Sequence, residues 1–168
     1  MVYKYETPKE FSNIIMTSDG EYLTSLRFES SKNVIEYKNC KEKELSVFKE
    51  TARWLDIYFS GKVPDFTPKY KIENLTPFRK ETIDIMNTIE FGKTITYKKI
   101  AKIIAKRRGI KKMSPQAVGG AVGWNPICII IPCHRVIGIN GNLTGYSGGI
   151  ENKKALLKHE QNCILIKK

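Results

Sequence analysis

The residues with the clearest chemical potential are Cys133, His134 and Arg135, which follow one another directly after Pro132. A thiol becomes a nucleophile when it loses its proton, and an adjacent imidazole can remove that proton while a permanent cation favours the thiolate. The three side chains together therefore indicate an activated cysteine nucleophile. The alternative is an ordinary buried cysteine, because a free cysteine packs as a small hydrophobic residue.

An apolar run precedes this cysteine and predicts how it is presented. Residues Ile127 to Ile131 are β-branched apart from Cys128, which is typical of a buried strand. Pro132 cannot donate to a strand ladder, so the strand is expected to end there. The run therefore predicts that Cys133 is held at a rigid strand end.

Further blocks surround the cysteine in a fixed order. The chain has N-P at 125–126, P-C-H-R-V at 132–136, G-Y-S-G-G at 145–149 and L-L-K-H-E at 156–160. This pattern resembles the O6-alkylguanine-DNA alkyltransferases, also called methylated-DNA-protein-cysteine methyltransferases, and the resemblance extends from about Thr76 to Glu160. It implies DNA repair by stoichiometric, single-turnover transfer of a methyl or other alkyl group to Cys133. The donor is O6 of guanine in DNA, with O4 of thymine as a further candidate.

The resemblance also implies a role for each catalytic side chain. His134 corresponds to the base that removes the thiol proton through a water, and Glu160 corresponds to the carboxylate that orients it. Tyr97 corresponds to the donor that neutralises charge growing on the guanine. Asn125 corresponds to the residue that ties the helix-turn-helix to the cysteine segment. The expected contacts with substrate and DNA are made by Lys98, Ser114, Gln116, Ala117, Gly120, Arg135, Tyr146 and Ser147.

Two positions depart from the family pattern. An alkyl group on guanine O6 lies inside the duplex, so the nucleotide must rotate out into a pocket. The family usually has an arginine in R-A-V-G that enters the vacated stack, whereas this chain has Gln116. Glutamine has neither the charge nor the planar fork of arginine, so weaker flipping is expected. Glu90 and Phe91 replace the usual proline before Gly92, which is expected to change only the turn.

The charge distribution favours a polyanionic partner. The chain has a formal net charge of +12, and residues 91–150 contain no Asp or Glu. A solvated lysine-rich surface is the alternative explanation. No apolar run approaches the ~20 residues that span a bilayer, and the N-terminus lacks a signal-peptide pattern. These observations predict a cytoplasmic protein that binds double-stranded DNA and no membrane. The basic residues of the acid-free stretch are Lys93, Lys98, Lys99, Lys102, Lys106, Arg107, Arg108, Lys111, Lys112 and Arg135.

Cysteine and histidine usage argues against structural cross-links. The only histidines are His134 and His159, so no zinc site is predicted. The cysteines are scattered along the chain, so no disulfide framework is predicted either. No cofactor, no metal and no obligate protein partner are expected, and the protein is expected to be a monomer. The four cysteines, none of them in a C-x-x-C motif, are Cys40, Cys128, Cys133 and Cys163.

The periodicity predicts both strands and helices, and the resemblance implies an α+β protein with two domains, 1–74 and 75–168. By the resemblance, the first is a small ribonuclease-H-like scaffold, and the second is mostly helical, winged-helix-like, and carries the catalytic residues. The first domain is predicted to contain strands at 13–17 and 21–28 around a turn at 18–20, an edge strand at 34–37, and a helix from 43 to 61.

Capping residues signal the helices of the second domain. Thr76 and Pro77 open a helix that is expected to end at Gly92. A lysine-rich helix at 98–108 and a helix at 115–122 capped by Ser114 form a helix-turn-helix pattern. A last helix is predicted at 152–161.

The second helix of this pattern has mostly small side chains, which limits how it can recognise DNA sequence. Ala117, Gly119, Gly120 and Ala121 have almost no side chain to reach base edges. Contacts in the minor groove are therefore expected to involve phosphates and shape, with little sequence preference. The alternative function is a non-catalytic basic helix-turn-helix protein in which Cys133 is structural.

Overall fold

A computed structural model describes residues 1–32, 43–143 and 145–166. Within these ranges the chain folds into a three-stranded antiparallel sheet, a two-stranded parallel sheet and five α-helices, which make a mixed α/β fold. The edge strand predicted at 34–37 and Cys40 lie outside the described residues. No helix within the described ranges is long and apolar enough to cross a membrane.

The antiparallel sheet has the order β1 (Val2–Tyr5), β2 (Ile14–Ser18) and β3 (Leu23–Phe28). The hairpin predicted between β2 and β3 is confirmed. Its turn requires the freedom of glycine, since Gly20 has φ +122°, and the Asp19 carboxylate accepts from two backbone N–H groups of the turn.

The first helix, α1 (Ser46–Phe59), covers one face of this sheet. Its apolar residues recur at helical spacing, and Phe48 and Leu55 are fully buried. The ring of Phe48 stacks on that of Tyr3 in β1, with centroids 5.7 Å apart. The predicted helix is therefore confirmed, and the packing explains why its inner face carries large side chains.

The next helix, α2 (Pro77–Met86), begins where the capping signal predicts. The hydroxyl of Thr76 accepts from the backbone N–H of Arg79 at 3.3 Å. The expectation that this helix continues to Gly92 is wrong, because after Met86 the chain tightens into turns and then reverses at Gly92, where φ is +75°. A Cβ at Gly92 would collide with the Ile164 side chain, so only glycine fits this reversal.

The helix-turn-helix pattern corresponds to two packed helices, α3 (Tyr97–Arg108) and α4 (Pro115–Trp124). A short strand, β4 (Ile95–Thr96), precedes α3, and Thr96 caps that helix by accepting from the N–H of Lys99. Strand β4 pairs in parallel with β5 (Val136–Ile137). This pairing places the start of α3 beside the segment that carries the cysteine.

The buried strand predicted at 127–131 is wrong. The segment is buried, but Ile129 has φ +68°, and the chain reverses so that the N–H of Ile131 donates to the carbonyl of Ile127. A positive φ is unusual for a β-branched residue, so the surrounding structure imposes this conformation. Cys133 accordingly begins a one-turn 3-10 helix, Cys133–Arg135, instead of ending a strand.

The last helix, α5 (Ile150–Ile166), is longer at both ends than the predicted 152–161. It packs against the 3-10 helix, and its buried residues are Asn152, Lys153, Leu156 and Glu160. Three of the four are polar or charged. This helix therefore brings polar groups into the interior directly behind Cys133.

Candidate active site

Asn125 fixes the turn that leads to the nucleophile. Its side chain is fully buried, and its Nδ2 donates to the carbonyl oxygens of Ile127 and Ile131 at 3.3 and 3.0 Å. Its Oδ1 accepts from the N–H of Ile127 at 3.0 Å. The amide thus joins the end of α4 to the reversed segment, and it satisfies backbone groups that a strand partner would otherwise have satisfied.

Cys133 is a buried thiol with increased acidity. Its side chain is 1% exposed. A hydrogen bond from the Cys128 thiol is the largest cause that lowers the pKa of Cys133, to about 7. Burial opposes this effect, while a hydrogen bond from Asn125 and the nearby Lys153 ammonium support it. The surroundings of Cys133 therefore favour the thiolate, which is the nucleophilic form.

His134 is placed to act as a base. Its Nε2 donates to Oε1 of Glu160 at 2.7 Å, and both side chains have no exposed surface. Burial lowers the pKa of His134, so the imidazole is neutral at neutral pH. Because the carboxylate accepts from Nε2, the basic nitrogen is Nδ1, which is buried and has no hydrogen-bond partner among the described residues.

Glu160 is held as an anion by several donors. Oε2 accepts from the backbone N–H of Gly92 at 2.8 Å and from Nε of Arg135 at 3.0 Å, while Oε1 accepts from the Tyr58 hydroxyl at 2.8 Å. Burial alone would raise the pKa of Glu160, but the hydrogen bonds from His134 and Arg135 and the charge of Arg135 outweigh it and hold that pKa below its usual range. At neutral pH, Arg135 is the permanent cation of this cluster.

Arg135 does not lie beside the thiolate as the sequence suggested. Its guanidinium is turned toward Glu160, and its NH1 donates to the carbonyl of Ile89 at 2.6 Å. The geometry therefore makes Arg135 a partner of the carboxylate and places it away from the cavity beside Tyr97 and Gln116.

Lys153 is the cation near the sulfur, and sequence reasoning missed it. Its side chain is fully buried, and its Nζ donates to the carbonyl of Val136 at 2.6 Å. The ammonium also lies 5.7 and 5.6 Å from the ring centroids of Tyr97 and Tyr146. Burial lowers the pKa of Lys153 to about 8, and the proximity of Cys133 opposes that shift.

A signal for Lys153 was present in the sequence. Lys153, Leu156 and Glu160 follow the i, i+3, i+7 spacing of one helical face, so a lysine on the face of the expected carboxylate points inward with it. Tyr58 gave no comparable signal, because an aromatic residue on the apolar face of α1 indicates core packing. Its contact with Glu160 joins residues 102 positions apart.

Tyr58→Phe is expected to lower the free energy of unfolding by about 1.5–3 kcal/mol, because it removes one hydrogen bond to a buried charge. Since His134 and Arg135 still hold Glu160, the rate of alkyl transfer should fall by no more than about tenfold. Chemical denaturation and single-turnover kinetics measure the two effects.

Tyr5→Phe is the matched control, because the Tyr5 hydroxyl donates to the Asp56 carboxylate at 2.7 Å far from Cys133. This variant should lower stability without changing the transfer rate. An unchanged stability in Tyr58→Phe would contradict the hydrogen bond to Glu160.

A cavity of about 360 Å³ opens beside the N-terminal ends of α3 and α4. Tyr97 and Gly119 both line it, and a Cβ at Gly119 would make an ordinary van der Waals contact with the Tyr97 ring at 3.9 Å. Burial, followed by the proximity of Cys133, raises the pKa of Tyr97, so its hydroxyl remains protonated and able to donate. The lining residues are Tyr97, Lys98, Pro115, Gln116, Gly119, Gly138, Ile139 and Gly145.

The residues expected to contact DNA are distributed around this opening. Ala117 and Gly120 are exposed on α4, and a Cβ at Gly120 would meet nothing within 4 Å. Ser114 is exposed as well, where it accepts from the N–H of Ala117 and donates to Oε1 of Gln116 at 3.0 Å. Lys98 is exposed at the start of α3. The structure thus brings these side chains to one surface beside the cavity.

Tyr146 and Ser147 lie in the segment between β5 and α5. The Tyr146 hydroxyl is buried and its pKa is raised, first by burial and then by the nearby Cys133 and Cys128. The backbone carbonyl of Ser147 accepts from the Ser31 hydroxyl at 2.9 Å. No three His, Cys, Asp or Glu side chains in the described parts of the chain come together as a group that could hold a metal ion.

Comparison with known proteins agrees with this geometry. A family model described as the DNA binding domain of 6-O-methylguanine DNA methyltransferase matches residues 77–162. The methylated-DNA-protein-cysteine methyltransferase of Methanosarcina acetivorans is 38% identical over 159 residues, which are 95% of this chain and 97% of that protein. The corresponding protein of Haemophilus influenzae is 36% identical over 92% of this chain and 83% of its own length.

Solved structures show the same similarity. The crystal structure of Mycobacterium tuberculosis O6-methylguanine methyltransferase superimposes with a TM-score of 0.78 at 31% identity and covers 100% of both chains. The M. tuberculosis OGT crystallised in complex with DNA gives a TM-score of 0.78 at 31% identity, over 96% of this chain and 93% of that one. The likeness extends over sequence and fold together, and the chain therefore belongs to the family of methylated-DNA-protein-cysteine methyltransferases.

Proposed function

We propose that this protein repairs DNA by moving a methyl or other alkyl group from O6 of guanine to Sγ of Cys133 in a single turnover. The observation that carries the proposal is the buried series of Glu160, His134 and Cys133, whose cysteine lies near Tyr97 on the wall of the cavity. Glu160 fixes the proton of His134 on Nε2, which leaves Nδ1 free to accept the thiol proton.

The reaction balances with these groups alone. The thiol proton passes through a water to Nδ1 of His134, and the thiolate attacks the alkyl carbon. The S–C bond forms as the C–O6 bond breaks, and its electron pair moves onto the guanine. Tyr97 donates a hydrogen bond to the guanine as this charge develops. The guanine takes up one proton from water and His134 returns the thiol proton to water, so no net charge remains. A thioether is stable in water, so Cys133 stays alkylated and the molecule reacts once.

Access to the lesion requires extrusion of the nucleotide from the duplex. We propose that α4 enters the minor groove through Ala117 and Gly120, with Gln116 toward the gap left by the extruded base. Ser114 and Lys98 then contact the backbone, Tyr146 forms the wall of the base pocket, and Ser147 contacts O6 through its backbone and hydroxyl. The exposed lysines beside this helix support the orientation, because the phosphate backbone attracts that face.

The same proposal covers the organisation of the chain. A scaffold of residues 1–74 with a ribonuclease-H-like arrangement precedes a winged-helix-like domain of residues 75–168. The packing of α1 on the first sheet and of α3 on α4 supports this division. A monomer in the cytoplasm, where thiols stay reduced, suits a protein whose activity depends on one free cysteine.

The direct test uses duplex DNA with a labelled methyl group on guanine O6. The label should appear on the protein in a one-to-one ratio, and peptide mass spectrometry should locate it at Cys133. Cys163→Ser, which removes another free cysteine outside the site, should leave the transfer unchanged. Tight binding of the duplex without transfer of label would favour the alternative, a non-catalytic DNA-binding protein.

Affinity for undamaged duplex is expected to fall steeply with salt and to vary little with sequence. If six phosphates are neutralised, the association constant should fall by about 10³-fold between 50 and 200 mM salt. Fluorescence anisotropy with two duplexes of unrelated sequence measures both properties. Lys4→Ala, which removes a lysine paired with Glu29 in the N-terminal sheet region, should leave the salt slope unchanged. A salt-independent affinity would contradict the proposed DNA-binding face.

Gln116→Arg is expected to speed repair in duplex DNA more than reaction with free O6-benzylguanine, which needs no base flipping. An arginine in the vacated stack replaces stacking and pairing, which are worth about a few kcal/mol per flipped base, while the thiolate chemistry is unchanged. Single-turnover rates on the two substrates measure the difference. Equal acceleration on both would show that Gln116 does not occupy the intercalating position.

A further inference from the structure

The segment between β5 and α5 contains a loop of residues 145–149, the pocket loop, which begins at the cavity because Gly145 lines it. Hydrogen bonds from distant parts of the chain hold this loop. We propose that Asn152 and Ser31 are positioning residues that join the pocket loop to the sheet β1–β3 and keep it in the conformation that binds the substrate base. The hydrogen bonds themselves are independent of the proposed function, whereas the consequence for substrate binding rests on it.

The pocket loop reaches the reactive part of the site through Tyr146. The ring centroids of Tyr146 and Tyr97 lie 5.6 and 5.7 Å from the same buried ammonium, that of Lys153, and Tyr97 lines the cavity. Gly148 packs closely between this ring and β3, since a Cβ there would come within 2.7 Å of the Tyr146 ring and 2.9 Å of the Phe28 ring. A shift of the pocket loop would therefore move a side chain that lies close to the cavity.

Asn152, in the first turn of α5, connects the pocket loop to two segments beside the sheet. The residue is 6% exposed. Its Nδ2 donates to the carbonyl of Gly148 at 2.8 Å and to the hydroxyl of Ser12 at 2.8 Å, with the hydroxyl of Ser30 at 3.1 Å. Its Oδ1 accepts from the backbone N–H of Ser12 at 3.1 Å. Because Ser12 precedes β2 and Ser30 follows β3, one amide joins the pocket loop to both sides of the hairpin.

The partners of this side chain require an amide. The backbone N–H of Ser12 can only donate and the carbonyl of Gly148 can only accept, so the group between them must offer both an acceptor and a donor. The same two contacts identify which atom of the Asn152 amide is the oxygen. A substitution that removes the donor leaves the buried carbonyl of Gly148 without its partner, which is costly.

Ser31 makes a second link from the same sheet to the pocket loop. It lies shortly after β3, is 8% exposed, and donates through its hydroxyl to the carbonyl of Ser147 at 2.9 Å. Its own N–H donates to the carbonyl of Phe28 at 2.9 Å, which fixes the turn that presents the hydroxyl. The two links therefore hold the carbonyls of consecutive residues, Ser147 and Gly148, in the middle of the pocket loop.

These contacts order the pocket loop before a base arrives. A protein whose binding conformation is present in only a fraction of molecules loses affinity by that fraction. Removal of the contacts should therefore weaken substrate binding. The chemical step should be nearly unaffected, because His134 and Glu160 are held by hydrogen bonds to each other and to Arg135.

The first test measures the pocket loop without substrate. Amide hydrogen exchange at Gly149, whose N–H donates to the carbonyl of Tyr146 at 3.1 Å, reports the order of the loop. Asn152→Ala should speed this exchange by at least about tenfold, because the loop loses hydrogen bonds to buried backbone groups and opens more often. Asn152→Asp keeps an acceptor for Ser12 but has no donor for Gly148, so it should give a comparable increase.

The second test separates binding from chemistry. Single-turnover reaction with free O6-benzylguanine is measured over a range of concentrations. In Asn152→Ala the half-saturating concentration should rise by about tenfold, while the maximal rate should change by less than about twofold. Ser31→Ala removes one link and should raise the half-saturating concentration by about threefold. If Asn152→Ala does not fold, Ser31→Ala carries both measurements.

Two matched controls distinguish positioning of the loop from general effects. Ser25 is buried in β3, and its hydroxyl is hydrogen-bonded to that of Thr17 at 2.7 Å within the sheet, so Ser25→Ala removes a similar contact away from the loop. Asn162→Asp introduces the same charge at an exposed position of α5. Neither control should alter the exchange of Gly149 or the half-saturating concentration.

Unchanged exchange at Gly149 in Asn152→Ala, or an unchanged half-saturating concentration, would overturn the proposal, and so would equal effects in Ser25→Ala. A lower maximal rate at an unchanged half-saturating concentration would place the effect of Asn152 on the chemical step and overturn it as well. Failure of the proposed function has a different appearance. In that case the wild-type protein does not react with O6-benzylguanine, while the exchange of Gly149 still reports whether Asn152 holds the pocket loop.

Discussion

Cys133→Ser is expected to reduce alkyl transfer by about 10³-fold or more while leaving DNA binding intact. An alcohol is far less ionised than a thiol at neutral pH, and the donors around the sulfur cannot compensate for that difference. The substitution is nearly isosteric in a site that is 1% exposed, so the fold should tolerate it. Single-turnover transfer from labelled duplex measures the rate, and anisotropy with the same duplex measures binding.

Serine has nearly the size of the buried cysteine that it replaces, so a change in the thermal midpoint should be small. Cys163→Ser controls for the loss of a thiol as such. Label that is still transferred at the wild-type rate in Cys133→Ser would remove Cys133 as the nucleophile.

Glu160→Gln is expected to have the second largest effect, with a loss of about 10²–10⁴-fold in transfer rate. An amide can no longer accept from both Nε2 of His134 and the guanidinium of Arg135, so the imidazole loses its fixed tautomer. The substitution also leaves Arg135 as a half-buried cation without its anion, which should lower the free energy of unfolding by about 3–5 kcal/mol. Glu151→Gln, on the exposed face of α5, is the matched control and should change neither quantity.

The difference in the free energy of unfolding between wild type and Glu160→Gln should become smaller as the pH falls. The pKa of Glu160 lies below that of an ordinary carboxylate in the folded protein, so its charge stabilises the fold above the unfolded value of about 4.3. As the pH falls through the folded pKa, the wild-type carboxylate is protonated and this stabilisation is lost. Urea unfolding of wild type and Glu160→Gln should therefore converge in acid, and a constant difference from pH 7 to acid would contradict the assigned anion.

Local signals in the sequence predicted the helical part of the fold. Thr76 and Ser114, the two predicted caps, each accept through a side-chain oxygen from a backbone N–H three residues later. Thr96 caps α3 in the same way, although it was not predicted to. Such contacts depend only on neighbouring residues, so the sequence contains all the information needed to locate them. The hairpin before α1 was predicted for the same reason, because its turn residues are adjacent.

Long-range contacts decided the features that were missed. The run 127–131 has the composition of a strand, but the Asn125 side chain satisfies its backbone groups and Ile129 is forced into the left-handed region. The position of Arg135 depends on Glu160 and Ile89, which its own neighbourhood in the sequence does not reveal. The resemblance identified site residues that lie within sequence motifs of the family. Tyr58 lies in no such motif, so it was not identified.

The hydrogen bonds around Glu160 also set the order in which the site can be completed during synthesis. Tyr58 and His134 precede Glu160 by 102 and 26 residues. At 5–20 residues per second, ribosomes need roughly 1–5 seconds to extend the chain from His134 to Glu160. During that interval the thiol has been made but its base has no carboxylate to orient it. The base of Cys133 is therefore oriented only after α5 has been synthesised and has packed against the 3-10 helix.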